Sequence, residues 1–354
     1  MSIFRDFFVK EKPVFTGVTR GVGGFGFGTA AVVEGPTGPP GGAASGAFVC
    51  WGGGGAGGEE GSIGGGGGCA NGTLALAQGT YTFVVGDTGT AHSPSGGQNA
   101  ATIGGGSCRT GNGGGGGGFT GIFAGDHTSC PFLGYDSSNT AAPFPQRDNA
   151  HGNSILIAGG GGGCGQEPTS TNGGGGGGGP EGTPGRGPGP NTKGGGGTQS
   201  AAGDNAPSLP GSTSAGGKLL GGWSGATNSG GGGGGGGFYG GGCGGHAPGD
   251  TPESAGGGSG HIAPPYGSAT LTTGDPGRLP TSGGAASQPN PYYPGSAGQG
   301  GAGMPSSGGT AGAFVIGSHS GGFIFVTPPG GSPSRVPYAG DAFETAGVYL
   351  LEVK

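Results

Sequence analysis

The side chains that could do chemistry are few and widely separated. The 354 residues include six cysteines and six histidines, and the tightest group is Asp126, His127 and Cys130. A cysteine held beside a histidine can act as a nucleophile, but a polar loop with one structural cysteine accounts for the same residues. We therefore expect a protein that is not an enzyme and that has no metal site or cofactor.

The cysteines leave two interpretations open. They are Cys50, Cys69, Cys108, Cys130, Cys164 and Cys243. No pair has the C-x-x-C spacing of a zinc ribbon or a thioredoxin motif, and an even number is compatible with disulfides. The pairings to test first are Cys50 with Cys69 and Cys108 with Cys130. Alternatively, all six are small residues packed in a crowded interior.

Abundant glycine does not by itself indicate a nucleotide site. A dinucleotide or phosphate loop needs a helix that opens after the glycines, and the sequence has neither such a helix nor a Gly-Lys-Ser or Gly-Lys-Thr triplet. The chain has 12 basic and 18 acidic residues, a formal net charge of -6. Because the basic residues are dispersed, we expect no binding to nucleic acid.

Glycine supplies 109 of the residues, and much of it occurs in runs. The runs are 52–55, 64–68, 113–118, 159–163, 173–179, 194–197 and 230–237. Such runs form either flexible linkers or extended threefold polyglycine II helices, which are stable only when several pack together and bond one another. We expect the packed form, with Gly230 to Gly237 buried among the other runs and bonded to them.

Short apolar stretches that lead directly into glycine favour this layered arrangement. Residues 47–51, 154–158 and 313–316 each have this pattern, residues 31–33 have a weaker form of it, and all read as buried strands. Residues 72–86 predict a β-hairpin that turns at Gln78-Gly79, and residues 347–353 predict a terminal strand. Residues 87–102 and 120–153 read as loops.

The predicted fold class is therefore all-β and irregular. Short β-strands and hairpins combine with a packed lattice of polyglycine II helices, with essentially no α-helix. Hydrophobic residues are only 29% of the chain, so we expect small apolar clusters and not one conventional core.

Residues 1–28 differ from the glycine-rich body, residues 29–354. They contain basic residues interleaved with the apolar side chains Phe4, Phe7, Phe8, Val9 and Phe15. We interpret this segment as an anchor that docks the protein to a partner, although a first strand of the body would look similar. Charges interrupt its apolar stretch, so it does not read as a signal peptide, and no apolar run is long enough to span a membrane.

Isolated aromatic residues in the long Gly, Ser and Asn segments are typical of binding surfaces. We take as candidates for receptor contact Phe132, Tyr135, Trp223, Tyr266, Tyr292 and Tyr293, together with Phe119, Phe238 and Tyr239. The alternative is that these rings cover a glycine core that has no side chains of its own.

The order of these features resembles a known type of domain. The sequence from Phe48 into the first glycine run, the second run at 64, and residues 80–86 resemble the glycine-rich domain of phage and bacterial surface proteins. The body also resembles the distal adhesins of phage long tail fibres, in which packed polyglycine II helices carry host-recognition loops. Residues 4–13 resemble the start of structural proteins of marine tailed phages.

The resemblance implies a virion structural protein, namely a tail-fibre tip or tail adhesin. Residues 1–28 would bind other tail proteins, and the loops would bind a host surface glycan or outer-membrane protein. Such a protein is made in the host cytoplasm without a signal peptide, is located in the virion tail, and can form a homo-oligomer. The alternative is a self-assembling extracellular filament subunit joined by N-terminal strand donation.

Overall fold

The structure is a computed structural model in which two β-sheets continue into a bundle of glycine segments. It describes residues 43–58, 62–90, 103–108, 113–130, 132, 145–166, 172–187, 193–206, 213–224, 230–245, 254–277, 283–285, 297–301, 308–320, 323–336 and 341–354. All of them fall in one unit of the chain, Pro39–Lys354. The proposed anchor, residues 1–28, and the predicted strand at 31–33 lie outside the described residues.

The described secondary structure is mostly β, as predicted. The strands are β1 Ala44–Trp51, β2 Cys69–Leu76, β3 Gly79–Val85, β4 Thr120–Ala124, β5 Ser154–Ala158, β6 Thr213–Ser214, β7 Trp223–Ser224, β8 His261–Ile262, β9 Gly267–Thr272, β10 Ala313–Ser320, β11 Ile324–Thr327, β12 Ser334–Arg335, β13 Asp341–Phe343 and β14 Gly347–Val353. One α-helix, α1 (Pro145–Gly152), and one 3-10 turn, Pro264–Tyr266, complete the elements of these ranges.

Two antiparallel sheets pack face to face. The five-stranded sheet has the order β13-β10-β1-β2-β9, and the seven-stranded sheet has the order β12-β11-β14-β3-β4-β5-β8; β6 and β7 form a separate pair. The main apolar core lies between the two large sheets and draws buried residues from both. Phe83 of β3 stacks on Phe314 of β10 across this core, with ring centroids 5.0 Å apart.

This core is larger than the sequence analysis predicts. It contains Phe48, Leu74, Ile122, Leu156 and Leu351, all fully buried, with further strand residues from both sheets. The prediction of only small clusters is wrong because the apolar residues are not spread evenly through the chain. They are concentrated in the strands, whereas the glycine is concentrated between them, so the strands alone can build a conventional sandwich.

The predicted hairpin at 72–86 is also wrong, although both of its strands exist. β2 pairs with β1 and β9, whereas β3 pairs with β14 and β4. Alternation of Leu74 and Leu76, and then of Tyr81 and Phe83, identifies the buried face of each strand but not its partner. The Tyr81 hydroxyl donates to the Ala77 carbonyl at 2.8 Å, at the corner where the chain crosses between the sheets.

Residues 120–153, predicted as a loop, contain β4 and α1. The helix is short and polar, with its buried side confined to Arg147 and Ala150, so it has no apolar period to detect. Together with Phe132 and Leu219, it lies over the outer face of the seven-stranded sheet, against Phe123 and Ile157. No helix within the described ranges has the length and apolar character needed to cross a membrane.

Glycine segments continue from the strand ends and form what we call the glycine bundle. Its segments are 52–58, 62–68, 86–90, 104–108, 113–118, 159–165, 172–179, 182–186, 193–197, 203–206, 221–224, 230–237, 240–245, 254–260, 273–277, 283–285, 298–301 and 308–312. β1 and β5 run directly into it, β2 and β10 begin directly after it, and β4 begins one residue after it. Gly230 to Gly237 are all buried, and residues 232–236 form backbone hydrogen bonds with other segments, which confirms that this run is packed and not an exposed linker.

Backbone hydrogen bonds between these segments recur every third residue. In segment 52–58, residues three apart donate to the same neighbouring segment, and consecutive residues donate to different ones. The N–H groups of Gly52 and Gly55 donate to Gly68 O and Gly65 O of one neighbour. Those of Gly53 and Ala56 donate to Gly118 O and Gly115 O of a second neighbour, and that of Gly54 donates to Thr310 O of a third. These N···O distances are 2.8 to 3.0 Å. A β-strand would repeat every second residue.

The close approach of these backbones leaves no room for a side chain at most of the glycines in the bundle. At Gly235 an added Cβ would overlap the backbone of Gly160, and at Gly161 it would overlap the backbone of Gly65. The buried N–H and C=O groups are satisfied where they form hydrogen bonds with a neighbouring segment. Glycine is therefore required in the bundle for packing, whatever its conformational cost.

Replacing Gly235 by alanine is expected to lower the free energy of unfolding by at least about 2 kcal/mol, because the methyl group overpacks a backbone contact. The matched control is Gly152→Ala at the end of α1, where an added Cβ meets nothing within 4 Å; its effect should stay within about 0.5 kcal/mol. Denaturant unfolding measures both. Equal stability of the two variants would contradict close packing at Gly235.

Candidate functional site

A stack of three rings lies where the longest glycine run ends. Phe238 directly follows the run and is sandwiched between two imidazoles. Its ring centroid lies 4.1 Å from that of His151, with planes 16° apart, and 3.8 Å from that of His261, with planes 7° apart. Tyr239 meets His151 edge-on at 4.9 Å. We call His151, Phe238, His261 and Tyr239 the ring stack.

Three different elements supply the ring stack. His151 lies in the last turn of α1, Phe238 ends the glycine run, and His261 begins β8. The four residues are half-buried, so the stack fastens the bundle to the edge of the seven-stranded sheet. Flat rings suit this junction because they contribute contact area with little conformational freedom to lose.

The imidazoles of the ring stack are held in the neutral form. Burial lowers the pKa of His261 to about 4. Burial also lowers the pKa of His151 to about 4, helped by the nearby Lys218 and His261 and opposed by Asp148. Lys218 and Asp148 pair at 3.1 Å and are half exposed. The Nε2 atom of His151 is buried and has no hydrogen-bond partner among the described residues, so a charge there would be poorly solvated.

The Asp126, His127 and Cys130 group has a structural arrangement. The carboxylate of Asp126 accepts hydrogen bonds from the backbone N–H and the hydroxyl of Thr128. The Nε2 atom of His127 lies 2.9 Å from the Ala124 carbonyl oxygen. Burial raises the pKa of the Cys130 thiol to about 11, which disfavours the thiolate that a nucleophile needs. Among the described residues, no three His, Cys, Asp or Glu side chains are placed to hold a metal ion.

All six cysteines are free and buried, so the two suggested disulfides are not present. Cys69 lies directly opposite Trp51. Because successive strand residues point to opposite faces, Cys50 lies in the main core and Cys69 in a second cluster with Trp51. Cys130 packs under α1, whereas Cys108 lies within the bundle. The alternative of small packed residues therefore describes the structure.

The predicted receptor-contact residues differ in how far they are buried. Phe132 and Trp223 are 3% exposed, and Phe119 is fully buried, so these three cannot be surface contacts. Tyr266 is half-buried against the main core, and Phe238 and Tyr239 belong to the ring stack. Tyr135, Tyr292 and Tyr293 lie outside the described residues, and so do the anchor residues. The buried rings fit the alternative interpretation, in which they cover glycine segments or strands.

One end of the glycine bundle, which we call the far end, is remote from the sheets. Segment 52–58 leaves β1, so Gly58 marks this end, and the Gly58 N–H bonds to Ser62 O at 3.1 Å. The Ser62 hydroxyl donates to Gly165 O, and the Gly174 N–H donates to Ile63 O at 2.8 Å. These bonds place the described residues that flank 59–61 and 167–171 at the same height along the bundle.

The connections whose flanking residues lie at the far end are rich in Ser, Thr, Pro, Asn and Gly, except for residues 59–61, which are Glu-Glu-Gly. They are residues 59–61, 109–112, 167–171, 188–192, 207–212, 225–229, 246–253, 278–282 and 302–307. Sequence reasoning singled out the aromatic residues instead. The shared position of their flanking residues follows from the hydrogen bonds between glycine segments, which no local pattern reveals.

Comparison with protein-family models and with curated proteins finds no match for this chain.

The free thiols give one direct test. In the native protein we expect no reaction with an aromatic disulfide reagent, because all six cysteines are buried and burial disfavours thiolates. After unfolding in guanidinium chloride without reductant, six thiols per chain should react. A smaller number would show that disulfides form in the protein.

The ring stack predicts sensitivity to acid. Both histidines have a folded-state pKa of about 4, below the unfolded value of roughly 6.5, so the unfolded chain binds protons first. The stability they contribute is complete above about pH 6.5 and is lost as the pH falls toward 4. Because both rings are partly exposed, we expect a loss on the order of 1 kcal/mol per histidine between pH 7 and pH 5.

Denaturant unfolding at both pH values measures this loss. His261→Phe keeps a ring on Phe238 but cannot titrate, so the variant should lose less stability on acidification than the natural chain. An identical loss in the two proteins would contradict the assignment.

Proposed function

We propose that the glycine bundle is a lattice of polyglycine II helices. The observation that supports this is the threefold recurrence of the hydrogen bonds, since polyglycine II has three residues per turn and residues i and i+3 face the same neighbour. In segment 159–165, the amides of residues 160 and 163 donate to one segment, those of 161 and 164 to another, and that of 162 to a third. A strand in a sheet has only two neighbours.

Neighbouring segments run in both directions, which also supports this lattice. The amides of Gly161 and Cys164 donate to Gly53 and Ala56, so these segments are parallel, whereas 52–58 and 62–68 are antiparallel. Without side chains, either direction presents the same surface to a neighbour. At about 3.1 Å per residue, the eight residues of Gly230–Gly237 would span roughly 25 Å.

We propose that the protein is a non-enzymatic virion protein, a tail-fibre tip or tail adhesin. The sandwich and the ring stack hold the end of the bundle next to the sheets, and the far-end connections are the residues that bind a host glycan or outer-membrane protein. Small polar residues suit such a surface because they give adaptable hydrogen bonds. A rigid bundle allows these connections to vary without disturbing the core. Residues 1–28 dock the protein to other tail proteins.

Binding to host cells tests the far-end surface. We expect the labelled full chain to bind susceptible cells and to compete with virion adsorption. Replacing residues 207–212, 225–229 and 246–253 together by Gly-Ser segments of equal length should weaken binding at least about tenfold, which corresponds to 1.4 kcal/mol, with an unchanged melting temperature. The control replaces the exposed turn 328–332 in the same way. Full binding by the far-end variant would overturn the proposed surface.

Deleting residues 1–28 tests the anchor separately. The shortened chain should still bind cells but should fail to enter particles, as measured by its amount in purified virions. Normal incorporation would contradict the docking role, and loss of cell binding would place recognition in the N-terminal segment.

A further inference from the structure

The outer strands of the two large sheets differ in length. Three of them are short, since β8 and β12 have two residues each and β13 has three. β9 has six residues and is the last strand of the five-stranded sheet. A long outer strand presents a row of backbone N–H and C=O groups that can pair with another chain.

β9 lacks the features that usually protect such an edge. Its sequence, Gly267-Ser-Ala-Thr-Leu-Thr272, has no charge and no proline. Its pairing with β2 is continuous, without a bulge. Ser268 and Thr270 are exposed, and among the described residues no backbone hydrogen bond joins residues 268–271 to any element except β2. Within the part of the chain that the structure describes, this edge of β9 is therefore unpaired.

The two faces of β9 have different character. Ala269 and Leu271 are half-buried and pack against the main core. Ser268, Thr270 and Thr272 alternate with them and point to the opposite face. An additional strand beside β9 would cover the remaining exposed area of Ala269 and Leu271 if it carried apolar residues on the same face.

β9 itself meets this requirement when it is paired antiparallel with a second copy around a twofold axis at Thr270. In that register Thr270 faces Thr270 of the second copy, Ala269 faces Leu271, and Ser268 faces Thr272. Apolar side chains then meet apolar ones on one face and hydroxyls meet hydroxyls on the other, both favourable cross-strand combinations.

We propose that β9 is the interface between two copies of this chain, joined edge to edge into one continuous sheet about a twofold axis. The net charge of -6 opposes association only weakly at physiological salt, where the Debye length is about 8 Å, and β9 contributes none of it. This inference does not depend on the proposed host binding, because it concerns the sandwich and not the far end.

A charge exchange at Thr270 tests the interface. Thr270→Lys places two like charges opposite each other at the axis, and Thr270→Glu does the same. Sedimentation velocity measures the dissociation constant of the dimer. For each variant alone this constant should be at least about tenfold higher than for the natural chain. An equimolar mixture should recover the dimer. Ser332→Lys in the exposed turn after β11 is the matched control and should not alter dissociation.

Cysteine cross-linking tests the register. Residues directly opposite in an antiparallel pair lie about 4.5 to 5.5 Å apart at Cα, within disulfide range. Thr270→Cys should form a covalent dimer on oxidation. Ser268→Cys alone should not, whereas the double variant Ser268→Cys with Thr272→Cys should.

Two outcomes would overturn the proposal. The first is a full-length protein that stays monomeric at about 100 μM, a concentration at which a dimer with micromolar Kd is nearly complete. The second is association that Thr270→Lys leaves intact and that deletion of residues 1–28 abolishes, which would support the filament joined by N-terminal strand donation. Unchanged cell binding by the Thr270 variants would leave the host-binding proposal standing in either case.

Discussion

The absence of a Cβ atom is the constraint on which the rest of the structure depends. Within the bundle, neighbouring backbones approach so closely that a methyl group at Gly235 or Gly161 would overlap the next segment. At this distance the amides of Gly235 and Gly161 reach carbonyls of other segments, and such bonds satisfy backbone groups that would otherwise be buried without partners. Stability here comes from the main chain, whereas in the sandwich it comes from side chains.

The two parts depend on each other in a definite way. A glycine chain loses more freedom on ordering than any other, and each net hydrogen bond returns only about 0.5 to 1.5 kcal/mol. The sandwich reduces this cost because its strands fix the ends of the segments that leave it, and its apolar core supplies burial that the bundle lacks. The ring stack around Phe238 does the same for the longest run.

Sequence patterns anticipate the strands well and their partners poorly. The terminal strand has the predicted bounds of Gly347–Val353, and Ser154–Ala158 is a strand with the predicted bounds. Alternating residues reveal a buried face but not the neighbours of a strand in space, and the hairpin prediction failed because the chain crosses from one sheet to the other between β2 and β3. The ring stack was missed for the same reason: His151 and His261 are brought together by the ends of two elements. α1 has too little apolar surface to produce a period.

The hydrogen bonds of segment 52–58 also bear on how the chain folds. Its neighbours are residues near 65, 115, 161 and 310, so one short segment is completed only when distant parts of the chain have arrived. Contacts of such long sequence separation slow folding, because each loop must close before its bonds form. The sandwich contains the strongly apolar strands, so it is the part able to form first and to act as a template for the glycine segments.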